Sequence, residues 1–232
     1  MSFSSVDKDF FQSAGLNVQA IFAIADLPKC LLSSLEKSLP EVKQYKQLIL
    51  LGHLGTELWK AMKPVIGKGE DPVDCYTIDK VNEFFKKKRI TDFNVVYPSS
   101  IPINLQELGK IAGWHYPTPF KVGANKHWGS WFAYRAVVIT NTEYATTEKM
   151  VSESPCETCQ NKECISACPA KALDTSELVL ESCVAYRRQR DSLCKNTCLS
   201  RVKCPVGNEY RYTEDQINYH YSVSMKTIEK LY

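Results

Sequence analysis

The sequence predicts an α+β protein: a sheet flanked by helices over residues 1–148, a small cysteine-rich module over 149–212, and a closing helix over 213–232 that packs back on the main body. Three observations carry this expectation. Short apolar runs alternate with segments of helical spacing in the first part. Eight of the ten cysteines fall between Cys156 and Cys204. Thr213-Glu-Asp-Gln216 opens the last helix with a capping hydroxyl and an acidic first turn.

Residues 18–25 and 47–52 read as buried strands, because their apolar runs are short. Helical spacing covers 31–39 between them and 57–65 after them. Asp71-Pro72 places a carboxylate cap and a first-turn proline before a helix over 74–89, with Ile78, Val81 and Phe85 on one face. A strand over 93–97, a helix over 105–112 and a strand over 131–140 follow. The polar stretch 142–155 is the expected joint to the cysteine module.

With 232 residues the chain can bury a sizeable core, and a net charge of +3 does not announce a nucleic-acid binder. No apolar stretch approaches bilayer length. The opening Met-Ser-Phe-Ser-Ser-Val-Asp-Lys-Asp-Phe-Phe has no basic stretch followed by an apolar core, so no secretory leader is expected. A reducing, cytoplasmic setting follows as the expectation. The runs Lys86-Lys-Lys-Arg89 and Arg187-Arg-Gln-Arg190 read as solvated faces or as docking patches for an acidic electron donor.

The cysteines form two runs that each end on Cys-Pro. The first is Cys156, Cys159, Cys164 and Cys168-Pro169; the second is Cys183, Cys194, Cys198 and Cys204-Pro205. In ferredoxins with two clusters, three cysteines of a run hold one cluster and the fourth, beside proline, ligates the other. Eight thiolates match the demand of two [4Fe-4S] clusters. The gap between Cys159 and Cys164 is longer than the usual two residues and the second run is stretched, so the loops are expected to bulge. Paired zinc sites, a single cluster or disulfides are the competing readings. Cys30 and Cys75 read as ordinary buried thiols.

One further segment has the composition of a ligand site. Ala112-Gly113-Trp114-His115-Tyr-Pro117 and the stretch from Gly123 through Gly129, Ser130, Trp131 and Phe132 to Arg135 combine glycines, indoles and histidines. Glycines let backbone approach a large flat ligand while aromatic faces cover it. The alternative is that the aromatics are core and the glycines are turns. His115 and His127 read either as groups for a macrocycle or a proton, or as satisfied histidines.

Several motifs carry a family resemblance. Asp71-Pro-Val-Asp74, Leu58-Trp-Lys-Ala-Met-Lys-Pro64, Gly129-Ser-Trp-Phe-Ala-Tyr-Arg135-Ala-Val-Val and Tyr210-Arg-Tyr-Thr-Glu-Asp-Gln216 resemble the CblC-type cobalamin-processing proteins. The cysteine module, with Leu180-Glu-Ser-Cys-Val-Ala-Tyr186, is similar to epoxyqueuosine reductase and the corrinoid reductive dehalogenases. The resemblance implies a nitroreductase-like corrinoid domain joined to a ferredoxin-like module. It implies an iron–sulfur oxidoreductase that binds cobalamin base-off and reduces it or removes its upper ligand, fed by a low-potential donor of the ferredoxin or flavodoxin type. An electron carrier or corrinoid chaperone, a cobalamin-dependent reductase of the epoxyqueuosine-reductase kind, and a flavin in place of the corrinoid are the alternatives.

The same resemblance implies site residues. Arg135 and Arg211 would surround the thiol cosubstrate or corrinoid, and Gly129, Ser130, Trp131 and Phe132 would line the pocket, with Gly113, Trp114 and His115 nearby. Cys156, Cys159, Cys164 and Cys204 would hold one cluster, and Cys168, Cys183, Cys194 and Cys198 the other. The stretch Asp74-Cys-Tyr-Thr-Ile-Asp79 lacks the Gly-Arg-Asp-Tyr-His segment of the epoxyqueuosine reductase branch, and the helical-repeat tail of that enzyme is missing. Both departures argue against transfer RNA as the substrate.

Overall fold

Four strands form one antiparallel sheet in the order β1-β2-β4-β3: β1 (Val18–Ala23), β2 (Gln47–Leu54), β3 (Phe93–Tyr97) and β4 (Phe132–Thr140). The two central strands carry the long apolar runs. In β2 only Leu54 escapes burial, as expected of a strand covered on both faces. The edge strands β1 and β3 are shorter. The computed structural model of the chain describes residues 8–67, 69, 71–173 and 178–232; residues 1–7, read above for a leader, lie outside them.

The chain divides into two units, Met1–Gly113 with Phe132–Met150, and Trp114–Trp131 with Val151–Tyr232. The first unit holds the sheet together with α1 (Lys8–Ser13), α2 (Lys29–Ser38), α3 (Glu57–Met62), α4 (Pro72–Lys87) and α5 (Leu105–Ala112). Its core includes an aromatic cluster: Phe11 and Phe84 lie 4.6 Å apart between ring centroids, and Phe85 stacks on Phe93 at 4.1 Å. Gly15, in the left-handed region at φ 77°, brings the turn before β1 against α3, where a Cβ would come within 2.4 Å of Leu58 Cα.

Helix ends follow from local chemistry. Asn104 caps α5 by accepting from Glu107 N at 3.1 Å, and Gly113 ends it in the left-handed conformation. Asp71 occupies the cap position of α4, but its side chain makes no capping hydrogen bond, which corrects the carboxylate cap read from sequence. Pro72 opens the first turn, where its missing N–H is one that the helix leaves unpaired in any case.

The second unit contains α6 (Glu163–Ser166), α7 (Leu180–Arg188), α8 (Leu199–Lys203) and α9 (Glu214–Leu231), with isolated bridges pairing Tyr116 with Ala124 and Asn125 with Gly129. Thr213 Oγ1 accepts from Gln216 N and caps α9. Trp131, Tyr212 and Ile217 form one buried cluster, and this packing groups both the 114–131 segment and α9 with the cysteines. Among the described residues no helix is long and apolar enough to cross a membrane.

Candidate metal centres

Cys156, Cys159, Cys164 and Cys204 line one cavity, whose empty space, open in part to solvent, is about 530 Å³. Lys162, in the left-handed region at φ 41°, turns the chain into α6 and so takes up the long gap between Cys159 and Cys164. Burial raises the thiols of Cys164 and Cys204, with the backbone N–H groups of Cys164 and Ile165 opposing at the first and that of Val206 at the second. Burial pushes the Cys156 thiol up to about 11, with the neighbouring thiols of Cys204, Cys164 and Cys159 adding and Lys162 opposing.

Cys168, Cys183, Cys194 and Cys198 line a second cavity of about 710 Å³. Cys183 rides on α7 and Cys198 stands at the N-terminal cap of α8. Burial, then the adjacent thiols, raises Cys183 and Cys194, while Arg187 opposes. Arg187 is itself buried and donates to Cys194 O at 3.0 Å, Lys195 O at 3.2 Å, Tyr221 O at 3.1 Å and Ser224 Oγ at 3.0 Å. The run Arg187–Arg190 is therefore not one solvated face: its first member is a structural strut, and Arg188 and Arg190 are exposed. The Lys86 to Arg89 run is exposed throughout.

Among the described residues no group of three or more His, Cys, Asp or Glu side chains is set to hold a metal ion. A zinc site needs its thiolates converging on one point at about 2.3 Å. In a four-iron cluster each thiolate binds a different corner, so the sulfurs stand around a volume. Four thiols ringing a cavity suit the second demand. Cys30 and Cys75 are exposed, a correction to the buried thiols expected: Leu31 and Leu35 face inward from α2, and Val73 and Thr77 from α4.

The glycine and aromatic segment is mostly packed interior. Trp114 and Trp128 meet edge to face at 6.1 Å, and His115 is buried against Gly123, where a Cβ would strike its Nδ1. Gly129 lies on the chain after Cys204, its Cβ position 2.0 Å from Val206 O. Trp131 is fully buried, with the Arg201 guanidinium 4.6 Å from its ring centroid, Arg211 at 5.6 Å and Tyr212 at 5.4 Å. Ser130 Oγ accepts from Arg201 Nε at 3.2 Å, and its carbonyl accepts from the same guanidinium. Arg211 donates to Val202 O at 2.8 Å and Asn208 Oδ1 at 2.6 Å. Trp114, His115, Gly129, Ser130, Trp131 and Arg211 belong to the second unit, and Gly113, Phe132 and Arg135 to the first; His127 is exposed.

The first unit carries a polar constellation that sequence reading passed over. Arg135 Nε donates to Nδ1 of the buried His53 at 2.9 Å, which leaves that imidazole neutral with its proton on Nε2. Burial raises the Asp74 carboxyl, against the pull of Arg135 and with a push from Asp71. Burial likewise raises Tyr97, with Asp74 adding and Arg135 opposing. Four elements, β2, α4, β3 and β4, thus bring an imidazole, a carboxyl, a phenol and a guanidinium into one electrostatic group. The available signal was a histidine inside the otherwise apolar run Leu48-Ile-Leu-Leu-Gly-His53-Leu.

A helix-flanked antiparallel sheet followed by a cysteine-ringed unit defines a fold already seen in solved reductases. The chain has the fold of epoxyqueuosine reductase: it matches that enzyme bound to a modified tRNA-Tyr stem loop over 90% of its own length, with a TM-score of 0.56 and 13% identity, and spans 66% of that chain. The Streptococcus thermophilus epoxyqueuosine reductase matches with a TM-score of 0.55 and 15% identity over 86% of this chain and 65% of that one. A C. elegans B12-trafficking protein, CblC, covers 93% of this chain and 91% of its own, at 13% identity and a TM-score of 0.45. No family model and no curated protein matches the sequence.

Proposed function

We propose that the chain is an iron–sulfur oxidoreductase that holds two [4Fe-4S] clusters in a ferredoxin-like module and passes their electrons to a corrinoid bound base-off, reducing it or removing its upper ligand. The observation that carries this reading is the pair of cavities, each ringed by four cysteines drawn from both runs. When bound, the clusters supply one-electron carriage at low potential. The protein's part is to hold and shield. Cys204 of the second run joins the first ring and Cys168 of the first run joins the second, so each cavity is closed by both runs. Backbone N–H groups of Cys164, Ile165, Val206 and Leu199 pull the thiols of Cys164, Cys204 and Cys194 down against burial, the direction that favours thiolate.

The corrinoid part is supported by the motif resemblance through Gly129 to Arg135 and Tyr210 to Gln216, and by the fold shared with epoxyqueuosine reductase. The residues read as aromatic walls fit a packed interior better than the faces of an open macrocycle site, because Trp131 is enclosed by Arg201, Arg211 and Tyr212. Arg135, with His53, Asp74 and Tyr97, remains the group able to orient a polar ligand edge or keep a proton in reserve. The enclosed indole favours a second reading, an electron carrier that binds no corrinoid.

Anaerobic protein separates these readings. About eight irons and matching sulfide per chain are expected, and cyanocobalamin given a ferredoxin- or flavodoxin-type donor should lose its cyanide. Full iron with cyanocobalamin left unchanged and unbound selects the carrier; a flavin spectrum replaces the corrinoid; zinc or no metal sinks the proposal.

A further inference from the structure

The segment from Tyr116 to Ala124 is a loop closed at its base and tied at its tip. Tyr116 N donates to Ala124 O and Ala124 N to Tyr116 O, each at 2.9 Å, and the Tyr116 hydroxyl donates to the Ser152 carbonyl. At the tip Thr118-Pro119-Phe120-Lys121 makes a turn: Lys121 N donates to Thr118 O at 3.0 Å, and proline takes the second position, which its fixed φ suits. Thr118 Oγ1 donates to Val122 O at 2.6 Å and joins the two limbs. Lys121 is left exposed and Phe120 is turned inward, 9% exposed.

Phe120 lines both cysteine-ringed cavities, and among the described residues around them no other does. It forms one buried cluster with Leu173 and with Cys164 of the first ring, and Cys168 of the second ring packs against that cluster together with Val122, Ile165 and Leu178. One phenyl ring therefore stands in the wall that the two cavities share. A wall of this composition gives water no polar partners to hold it there.

We propose that Phe120 keeps water out of the space between the two clusters and so holds both of their reduction potentials low. The proposal rests on the iron–sulfur reading of the cavities. Its physics is differential: one electron from the low-potential donor adds a negative charge to a group that four thiolates already make negative, while no bond is made or broken and no proton moves. Water beside the sulfurs would solvate the more highly charged form better than the less charged one, and a phenyl ring does not. Excluding that water costs the reduced form more than the oxidised form, so the potential falls. A ring in the shared wall acts on both clusters together.

The test is a potentiometric titration of the anaerobic full-length protein followed by electron paramagnetic resonance, which reads the two clusters separately and needs no turnover. In Phe120→Ala both signals should move to less negative potential, the reduced-to-oxidised ratio at fixed potential rising about tenfold, or about 59 mV for a one-electron couple. In deuterated water both should also gain deuterium modulation of the electron spin echo, which reports solvent near the cluster directly. Phe120→Leu keeps the wall apolar and nearly full, and should leave both potentials close to those of the unaltered protein. Val122→Ala, which opens the second cavity alone, should move one signal and not the other. Should Phe120→Ala fail to hold its clusters, Phe120→Val decides, with the same direction and a smaller movement expected. Unmoved potentials, movement of a single signal, a rise without added deuterium modulation, an equal shift in Phe120→Leu, or cluster loss in Phe120→Val as well would overturn the proposal while leaving the iron–sulfur reading intact. Absence of iron from the unaltered protein would overturn that reading itself.

Discussion

The two units solve the problem of an interior in opposite ways. In the first, apolar strands fill it: Leu48, Ile49, Leu50 and Leu51 of β2 and Ala136, Val137, Val138 and Ile139 of β4 are buried, and Phe11, Phe84 and Phe85 seal one flank. In the second, α6, α7 and α8 have four, nine and five residues, too few to persist by themselves. They surround two thiol-lined cavities and two buried arginines. A unit whose interior is cavity and charge depends on what occupies the cavities, whereas one whose interior is hydrocarbon depends on its own packing.

The sharpest way to break that contrast is to purify the protein with the proposed clusters in place, expose it to a chelator under air and follow amide hydrogen exchange. Protection in α6, α7 and α8 should fall by on the order of a thousandfold or more, because metal-binding energy is folding energy for a small module. Protection in β2 and β4 should change little. Equal losses in both units, or none in the short helices, would end the comparison.

Phe84→Ala tests the other side. Phe84 is fully buried between Phe11 and Phe85, and its truncation should destabilise the first unit by about 3–5 kcal/mol. The measurement is the urea dependence of exchange in β2 and β4. A loss under about 1 kcal/mol would mean that the aromatic cluster relaxes into the gap and is not the support claimed here.

How far each unit was legible from sequence follows the same division. Hydrocarbon writes its pattern locally. The unbroken run in β2, the Asn104 and Gly113 punctuation of α5 and the Thr213 cap of α9 could be read residue by residue, since each depends on neighbours within a few positions. The family resemblance divided the eight cysteines into two sets of four, and the same two sets line the two cavities. What stayed hidden depends on distant partners. Trp131 reads as a ligand wall or as core until Arg201, Arg211 and Tyr212 are seen around it. Arg187 reads as one of a charged run until its four acceptors are found. His53 and Asp74 lie in unrelated segments, and only the pairing of β2 with β4 and the packing of α4 on β4 bring Arg135 to both.

The smallest effect expected is at Asp74, where the first unit departs from its own rule by taking in a charge. Burial is the largest influence on this carboxyl and raises it, with Arg135 opposing. A folded pKa above the unfolded value near 3.9 means that its contribution to stability is fully present below that value and is lost as pH rises through the folded pKa. At neutral pH the carboxylate is therefore a net burden on the fold, discounted because the group is only half-buried. Asp74→Asn keeps the shape and removes the charge. Thermal midpoints taken from about pH 3.5 to 7 should coincide with the unaltered protein at the acid end and lie a degree or more above it at the neutral end. A variant less stable at pH 7 would show that attraction to Arg135 outweighs burial, and that the polar constellation is held together by its charges.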